Sequence, residues 1–142
     1  MIDKADIEHR DRVLRAYFEG RDWDGNNEHA LKRKLVMNSP ELLPDYAFII
    51  DDEWEAEQNR GEQGKGDLIF TNGEGCFAVV EVKWIDLERT GKQVRTRRNE
   101  KRQNVTAQAE RYRNVLATKL GSNFHVEGYY FTSDDETQVF KI

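Results

Sequence analysis

The sequence predicts an α/β fold, a mixed sheet of about four to five strands flanked by helices on both faces. Three observations lead there. Leu68-Ile69-Phe70 and Phe77-Ala78-Val79-Val80 are short apolar runs without polar alternation, the pattern of strands buried on both faces. A sheet of that kind needs a layer of helix on each side. The remaining elements follow in the order helices, strand hairpin, helix, strands, which is the order of an α/β sandwich.

Taken in turn, Asp6 to Glu19 reads as an amphipathic helix, with Ile7, Val13, Leu14, Tyr17 and Phe18 near helical spacing and Gly20 as its stop. Asp22 to Asn27 is turn-rich. A second helix covers Asn27 to Met37, capped by Asn26 or Asn27, with Ala30, Leu31 and Leu35 facing inward. Ser39-Pro40 opens one short helical turn that Pro44 closes. Tyr46 to Ile50 is a strand, and Asp51 to Gly66, acidic and glycine-bearing, reads as a loop. Asp67 to Thr71 and Cys76 to Trp84 form a hairpin around Asn72-Gly73-Glu74-Gly75. Arg89 to Arg102 reads as a basic linker running into a helix that continues to Leu120. That helix places Val105, Ala109, Tyr112 and Leu116 on one face and ends at Gly121. His125 to Thr132 and Thr137 to Ile142 close the chain as a pair of strands.

The 142 residues suit a single domain spanning 1–142. No apolar run is long enough to cross a membrane, and the acidic start Met1-Ile2-Asp3-Lys4-Ala5-Asp6 lacks a signal-peptide core, so an intracellular, by default cytoplasmic, location is expected. Cys76 is the only cysteine, which excludes an internal disulfide and a cysteine-based zinc site. His9, His29 and His125 show no metal-ligand spacing and read as structural or surface residues. The formal net charge is -5, but it is unevenly spread. Residues 1–80 carry 10 Lys/Arg against 18 Asp/Glu, a balance of -8; residues 81–120 carry 11 against 5, a balance of +6; residues 121–142 carry 1 against 4, a balance of -3. Positive charge concentrated in one segment points to a local anionic partner.

Glu81 and Lys83 interrupt the apolar strand Phe77-Ala78-Val79-Val80-Glu81-Val82-Lys83-Trp84. Charges forced into such a strand need partners or a task. Being two apart, they share one face. A turn centred on Glu74 makes residues whose numbers sum to 148 directly opposite, which sets Asp67 against Glu81. Opposed residues have Cβ atoms about 4.5 to 5.5 Å apart. Two carboxylates that close repel unless a cation lies between them, and their hard oxygens suit Mg²⁺ or Mn²⁺. The plainer reading is a salt bridge of Lys83 with either carboxylate. It requires only one acid, whereas here two converge, so the functional reading is preferred.

These residues resemble the PD-(D/E)XK phosphodiesterase superfamily, the restriction-endonuclease-like fold. The pieces that carry the resemblance are Gly66-Asp67-Leu68-Ile69-Phe70, Val79-Val80-Glu81-Val82-Lys83, and Gln108-Ala109-Glu110-Arg111-Tyr112. The last is similar to the Gln-xxx-Tyr element of exonuclease domains in recombination helicase-nucleases. Glu28, in Asn27-Glu28-His29-Ala30-Leu31, resembles the acidic residue of the first core helix in that group. The resemblance covers roughly residues 26–132. Gly66 stands where the family name has proline. Pro44-Asp45 spells the dipeptide but lies on a different element, and is set aside as a decoy.

The resemblance implies a Mg²⁺- or Mn²⁺-dependent phosphodiesterase. Asp67, Glu81 and the carbonyl of Val82 would bind the metal, Lys83 would orient the attacking water, and Glu28 would bind a second metal directly or through water. Gln108 and Tyr112, one helical turn apart, would position the phosphate or Lys83, although a core aromatic is an equally good reading of Tyr112. Arg89, Lys92, Arg95, Arg97, Arg98, Lys101 and Arg102 follow the catalytic strand and are expected to contact phosphates. The expected partner is DNA, with RNA as an alternative; small members of the superfamily often act as homodimers, so the resemblance is compatible with a homodimer. Two rival readings are a non-catalytic nucleic-acid-binding or assembly protein on the same fold, and a sugar hydrolase using paired carboxylates. A complete Asp67, Glu81 and Lys83 disfavours the first, and the basic segment disfavours the second.

Overall fold

The computed structural model describes residues 3–20, 27–52, 67–84, 92–133 and 135–142, with backbone alone at 27, 92–102 and 135. The elements are α1 (Lys4–Glu19), α2 (Asn27–Met37), α3 (Ser39–Leu42), β1 (Phe48–Asp52), β2 (Leu68–Thr71), β3 (Cys76–Lys83), α4 (Lys92–Leu120), β4 (His125–Thr132) and β5 (Asp135–Lys141). The strands form one mixed sheet in the order β1-β2-β3-β4-β5. Three neighbouring pairs are antiparallel, and β3 with β4 is parallel. A parallel neighbour requires a crossover, which α4 supplies. Helices cover both faces, as expected of an α/β sandwich.

Strand alternation divides the core. Leu68, Phe70, Ala78, Val80 and Val82 face Leu31, Leu35 and Val36 of α2. Ile69, Phe77 and Val79 face Tyr112 and Leu116 of α4. Val105, Ala109, Tyr112 and Leu116 are all buried, so the predicted face of α4 is the packed one. Gly121 ends that helix at φ 90°, a left-handed conformation that suits glycine.

α1 lies along the exposed edge of β1. Ile7 joins the α4-side core and Phe18 the α2-side core. Asp11 accepts the Ile49 N–H at 2.9 Å, satisfying an edge donor that another strand could otherwise pair with. Arg15 donates to the Val36 carbonyl at 2.6 Å and to Ser39 Oγ at 2.9 Å, tying α1 to α2 and α3.

Several boundaries and faces differ from expectation. α1 begins at Lys4 because Asp3 caps it, its carboxylate accepting the Asp6 N–H at 2.8 Å. Val13 and Tyr17 are exposed, since they fall to one side of the Ile7, Leu14, Phe18 stripe, roughly 120° and 80° round the helical wheel. On α2, Ala30 is exposed while Lys32 and Val36 are buried beside Leu31 and Leu35. β1 starts at Phe48 and runs through Asp51 and Asp52, which were expected in a loop. Residues 53–66 of that expected loop, Asn26 as a cap and Gly66 lie outside the described residues. The basic segment is helical from Lys92, and β5 begins at Asp135, ahead of Thr137.

Candidate active site

The β2–β3 hairpin carries the register that the turn implied. Leu68, Ile69, Phe70 and Thr71 pair with Val80, Val79, Ala78 and Phe77. The turn holds this register because the Asn72 side chain accepts the Glu74 and Cys76 N–H groups, while Gly73 and Gly75 take positive φ. Asp67 continues the pairing opposite Glu81. Its backbone N–H donates to Glu81 Oε1 at 3.2 Å, and its own Oδ2 accepts the Val82 N–H at 2.7 Å. The Asp67 carboxylate thus takes a β3 amide just ahead of β2, which locks its position.

Burial drives the chemistry of the pair. Glu81 is 4% exposed. Loss of water raises its proton affinity, and the Asp67 carboxylate raises it further. Asp67 is raised as well, first by burial, against the opposing pull of Lys32 and the Val82 N–H. The negative charge of Glu28 on α2 adds to the rise at Asp67. In the metal-free protein the two carboxyls therefore hold a proton at pH values where isolated carboxylates are ionised. A hard divalent cation suits this pair: the donors are carboxylate oxygens, they are adjacent, and their negative charge is under-compensated.

Lys32 was not foreseen as part of the site. It is 2% exposed, and its ammonium lies 3.1 Å from Asp52 Oδ1 and 3.5 Å from Asp67 Oδ1. Asp52 reaches it through a bulge in β1. The register shifts between Ile49 and Asp51, so Ile50 and Asp51 both follow the Ile69 side and Asp52 aligns with Leu68, toward α2. The spacing Glu28, Leu31, Lys32, Leu35, Val36 was the available clue, since Lys32 falls on the buried stripe of α2.

Lys83 ends β3, half-buried, and its ammonium forms no ion pair among the described residues. Neither form of the simple Lys83 salt bridge occurs, and the buried carboxylate is neutralised by Lys32 instead. Val82 is buried between the two charged positions. Tyr112 is 1% exposed and packs in the core with Ile69, Phe77 and Val79, whereas Gln108 is exposed on α4. No contact joins either of them to Asp67 or Glu81 among the described residues. Pro44 and Asp45 are exposed in the turn before β1. Arg89 and the side chains of Lys92, Arg95, Arg97, Arg98, Lys101 and Arg102 lie outside the described residues.

Among the described residues no three His, Cys, Asp or Glu side chains converge as a ready-made metal set. A cavity of about 370 Å³ lies at the opposite end of the sheet, lined by Arg113, His125, Glu127 and Lys141 among others. There Glu127 accepts from Tyr46 at 3.1 Å, Tyr129 at 2.7 Å and Lys141 at 2.9 Å, and pairs with His125 at 3.0 Å. Those hydrogen bonds, the one with His125 foremost, hold its carboxyl down at about 2. No helix of the described residues is long and apolar enough to cross a membrane. No family model matches this chain, and neither a curated protein nor a solved structure is significantly similar to it.

Proposed function

We propose that this protein is a Mg²⁺-dependent nuclease of the PD-(D/E)XK type that hydrolyses phosphodiester bonds of DNA, with a preference set by structure or ends. The observation that carries the reading is the buried Glu81 carboxylate set against Asp67, whose backbone N–H it accepts at 3.2 Å, with a lysine two residues on along β3 that no carboxylate among the described residues neutralises. Asp67, Glu81 and the Val82 carbonyl would hold the ion, with Glu28 as a further acid on the neighbouring helix. When bound, a divalent ion supplies polarisation of the phosphate and a more acidic water. Lys83 would orient that water and stabilise the charge that develops on the phosphoryl oxygens. The basic start of α4 follows β3 in the chain and would contact the nucleic-acid backbone.

One observation favours a second reading. Lys32 already neutralises part of the acidic cluster, as it would in a protein of the same fold that binds nucleic acid without cutting it. Incubation with linear, circular and branched DNA, in Mg²⁺ and in EDTA, separates the two. Metal-dependent cleavage lost in Asp67→Asn supports the nuclease. Binding without cleavage under every condition supports the second reading.

A further inference from the structure

We propose that Lys32 is a resident counter-cation that competes with the divalent metal for Asp67, and that Asp52 is its alternative seat. This rests on the metal-binding reading of Asp67 and Glu81, and it concerns how tightly that site loads.

The geometry sets up a contest at one atom. Asp67 Oδ2 is committed to the Val82 N–H at 2.7 Å. Oδ1, which takes no backbone N–H, is the oxygen more open to a metal, and the Lys32 ammonium lies 3.5 Å from it. Lys32 is 2% exposed, so its charge is not dissipated into solvent, and a buried ammonium cannot simply be abandoned by its partner. Asp52 resolves that difficulty. It is the nearer partner, accepting from Lys32 at 3.1 Å. A metal ion taking Oδ1 would leave the ammonium paired with Asp52. The β1 bulge is what aligns Asp52 with Leu68 and so brings it to this position. The arrangement keeps the acidic site folded without metal and lowers its affinity for metal by the same interaction.

The two partners of the competition have opposite expected signs. Lys32→Met keeps the length of the stem and removes the charge. It should tighten Mn²⁺ binding by about tenfold or more, since a full charge is removed within a few ångströms of the ligand. Asp52→Asn weakens the alternative seat and shifts Lys32 toward Asp67, so Mn²⁺ binding should weaken. If Asp52 were itself a ligand it would also weaken binding, but then Asp52→Asn would still do so in the Lys32→Met background. Under competition that second substitution has much less effect once Lys32 is gone, only the direct attraction of the Asp52 charge being lost.

The measurement is calorimetric titration of the full chain with Mn²⁺, without nucleic acid, alongside a melting curve for each variant. Asp67→Asn serves as the control for the site. Tighter binding by Lys32→Met, weaker binding by Asp52→Asn and a clearly smaller loss from Asp52→Asn in the double variant support the proposal, and an equal loss there overturns it. Unchanged or weaker binding by folded Lys32→Met overturns it, and leaves the metal site standing if Asp67→Asn abolishes binding. Should Lys32→Met fail to fold, Asp52→Asn decides, and unchanged or tighter binding there overturns the proposal. Wild-type protein that takes up no Mn²⁺ overturns the metal site and the competition together.

Discussion

Asp67 and Glu81 face each other across β2 and β3, the backbone N–H of the first donating to the carboxylate of the second at 3.2 Å. Glu81 is buried and Asp67 partly so, both carboxylates accept backbone amides, and the two repel. The pair therefore has consequences for stability as well as for catalysis.

The pH dependence is the first. Burial and the Asp67 charge raise Glu81 above its ordinary 4.5 in the folded chain. A raised carboxyl stabilises the fold while protonated, and that contribution is lost as pH climbs from 4.5 through the folded-state value. Metal-free wild type should therefore lose stability between about pH 5 and pH 8, by at most about 1.4 kcal/mol per unit. Glu81→Gln keeps an oxygen for the Asp67 N–H and removes the titration. It should melt higher than wild type at pH 8 in EDTA, with the gap closing toward pH 5. Parallel pH profiles for the two proteins would show that the pair does not titrate as argued.

Asp67→Asn is a less simple variant than Glu81→Gln. It relieves repulsion, yet it weakens the hold on buried Lys32, whose ion pair with Asp52 remains. The expected melting shift in EDTA is accordingly small, within about 3 °C, or about 1 kcal/mol for a domain of this size. Wild type should gain on addition of Mg²⁺, about 2.7 kcal/mol at a hundredfold excess over its Kd, and Asp67→Asn should gain little. Equal gains in both proteins would remove Asp67 from the site.

Lys83 and Lys32 should separate cleanly. Lys83 makes no ion pair among the described residues, so Lys83→Ala should leave the melting temperature within about 2 °C of wild type while abolishing Mg²⁺-dependent cleavage. Lys32→Met strands two acids and should lower the metal-free melting temperature. Full activity in Lys83→Ala would assign water orientation to another residue.

The basic start of α4 predicts a salt effect. Replacing Arg95, Arg97 and Arg98 together should weaken DNA binding and flatten the dependence of log K on log salt by about three. Filter-binding or anisotropy at several salt concentrations reads this directly, and an unchanged slope would place the DNA elsewhere.

Glu127 supplies a prediction away from the site. Its carboxylate links Tyr46, ahead of β1, with β4 and β5, and its proton affinity is depressed to about 2. A depressed carboxyl contributes stability above the ordinary glutamate range, 4.5, and loses it as pH falls toward 2. Glu127→Ala should lower the melting temperature at pH 7 by several degrees, from about 1–3 kcal/mol of lost hydrogen bonding, and the difference should shrink in acid. Equal acid sensitivity in both proteins would mean the cluster contributes nothing.

How much of this was legible depended on distance along the chain. The Asp67–Glu81 register was readable because the two residues are separated only by a short hairpin whose turn residues announce its centre. The packed face of α4 was readable from one helical stripe. Lys32 was not, because its burial depends on partners 20 and 35 residues away, on β1 and ahead of β2. Asp52 was hidden by the bulge, which reverses the side a residue faces without leaving a pattern in the sequence. Val13 and Tyr17 were assigned inward on hydrophobicity alone, and the phase of α1 against the β1 edge decided otherwise.

By itself, then, the sequence determined the fold class, the order of elements, the hairpin register and the opposition of two carboxylates, because each follows from local periodicity or from a turn. Only the tertiary structure decided which cation answers those carboxylates. Lys83 is two residues from Glu81 in the strand, yet the buried ammonium at Asp67 is that of Lys32, delivered by α2 packing on the sheet. Charge compensation in a protein interior is settled by which side chains share a desolvated volume, and that volume exists only once distant elements have docked.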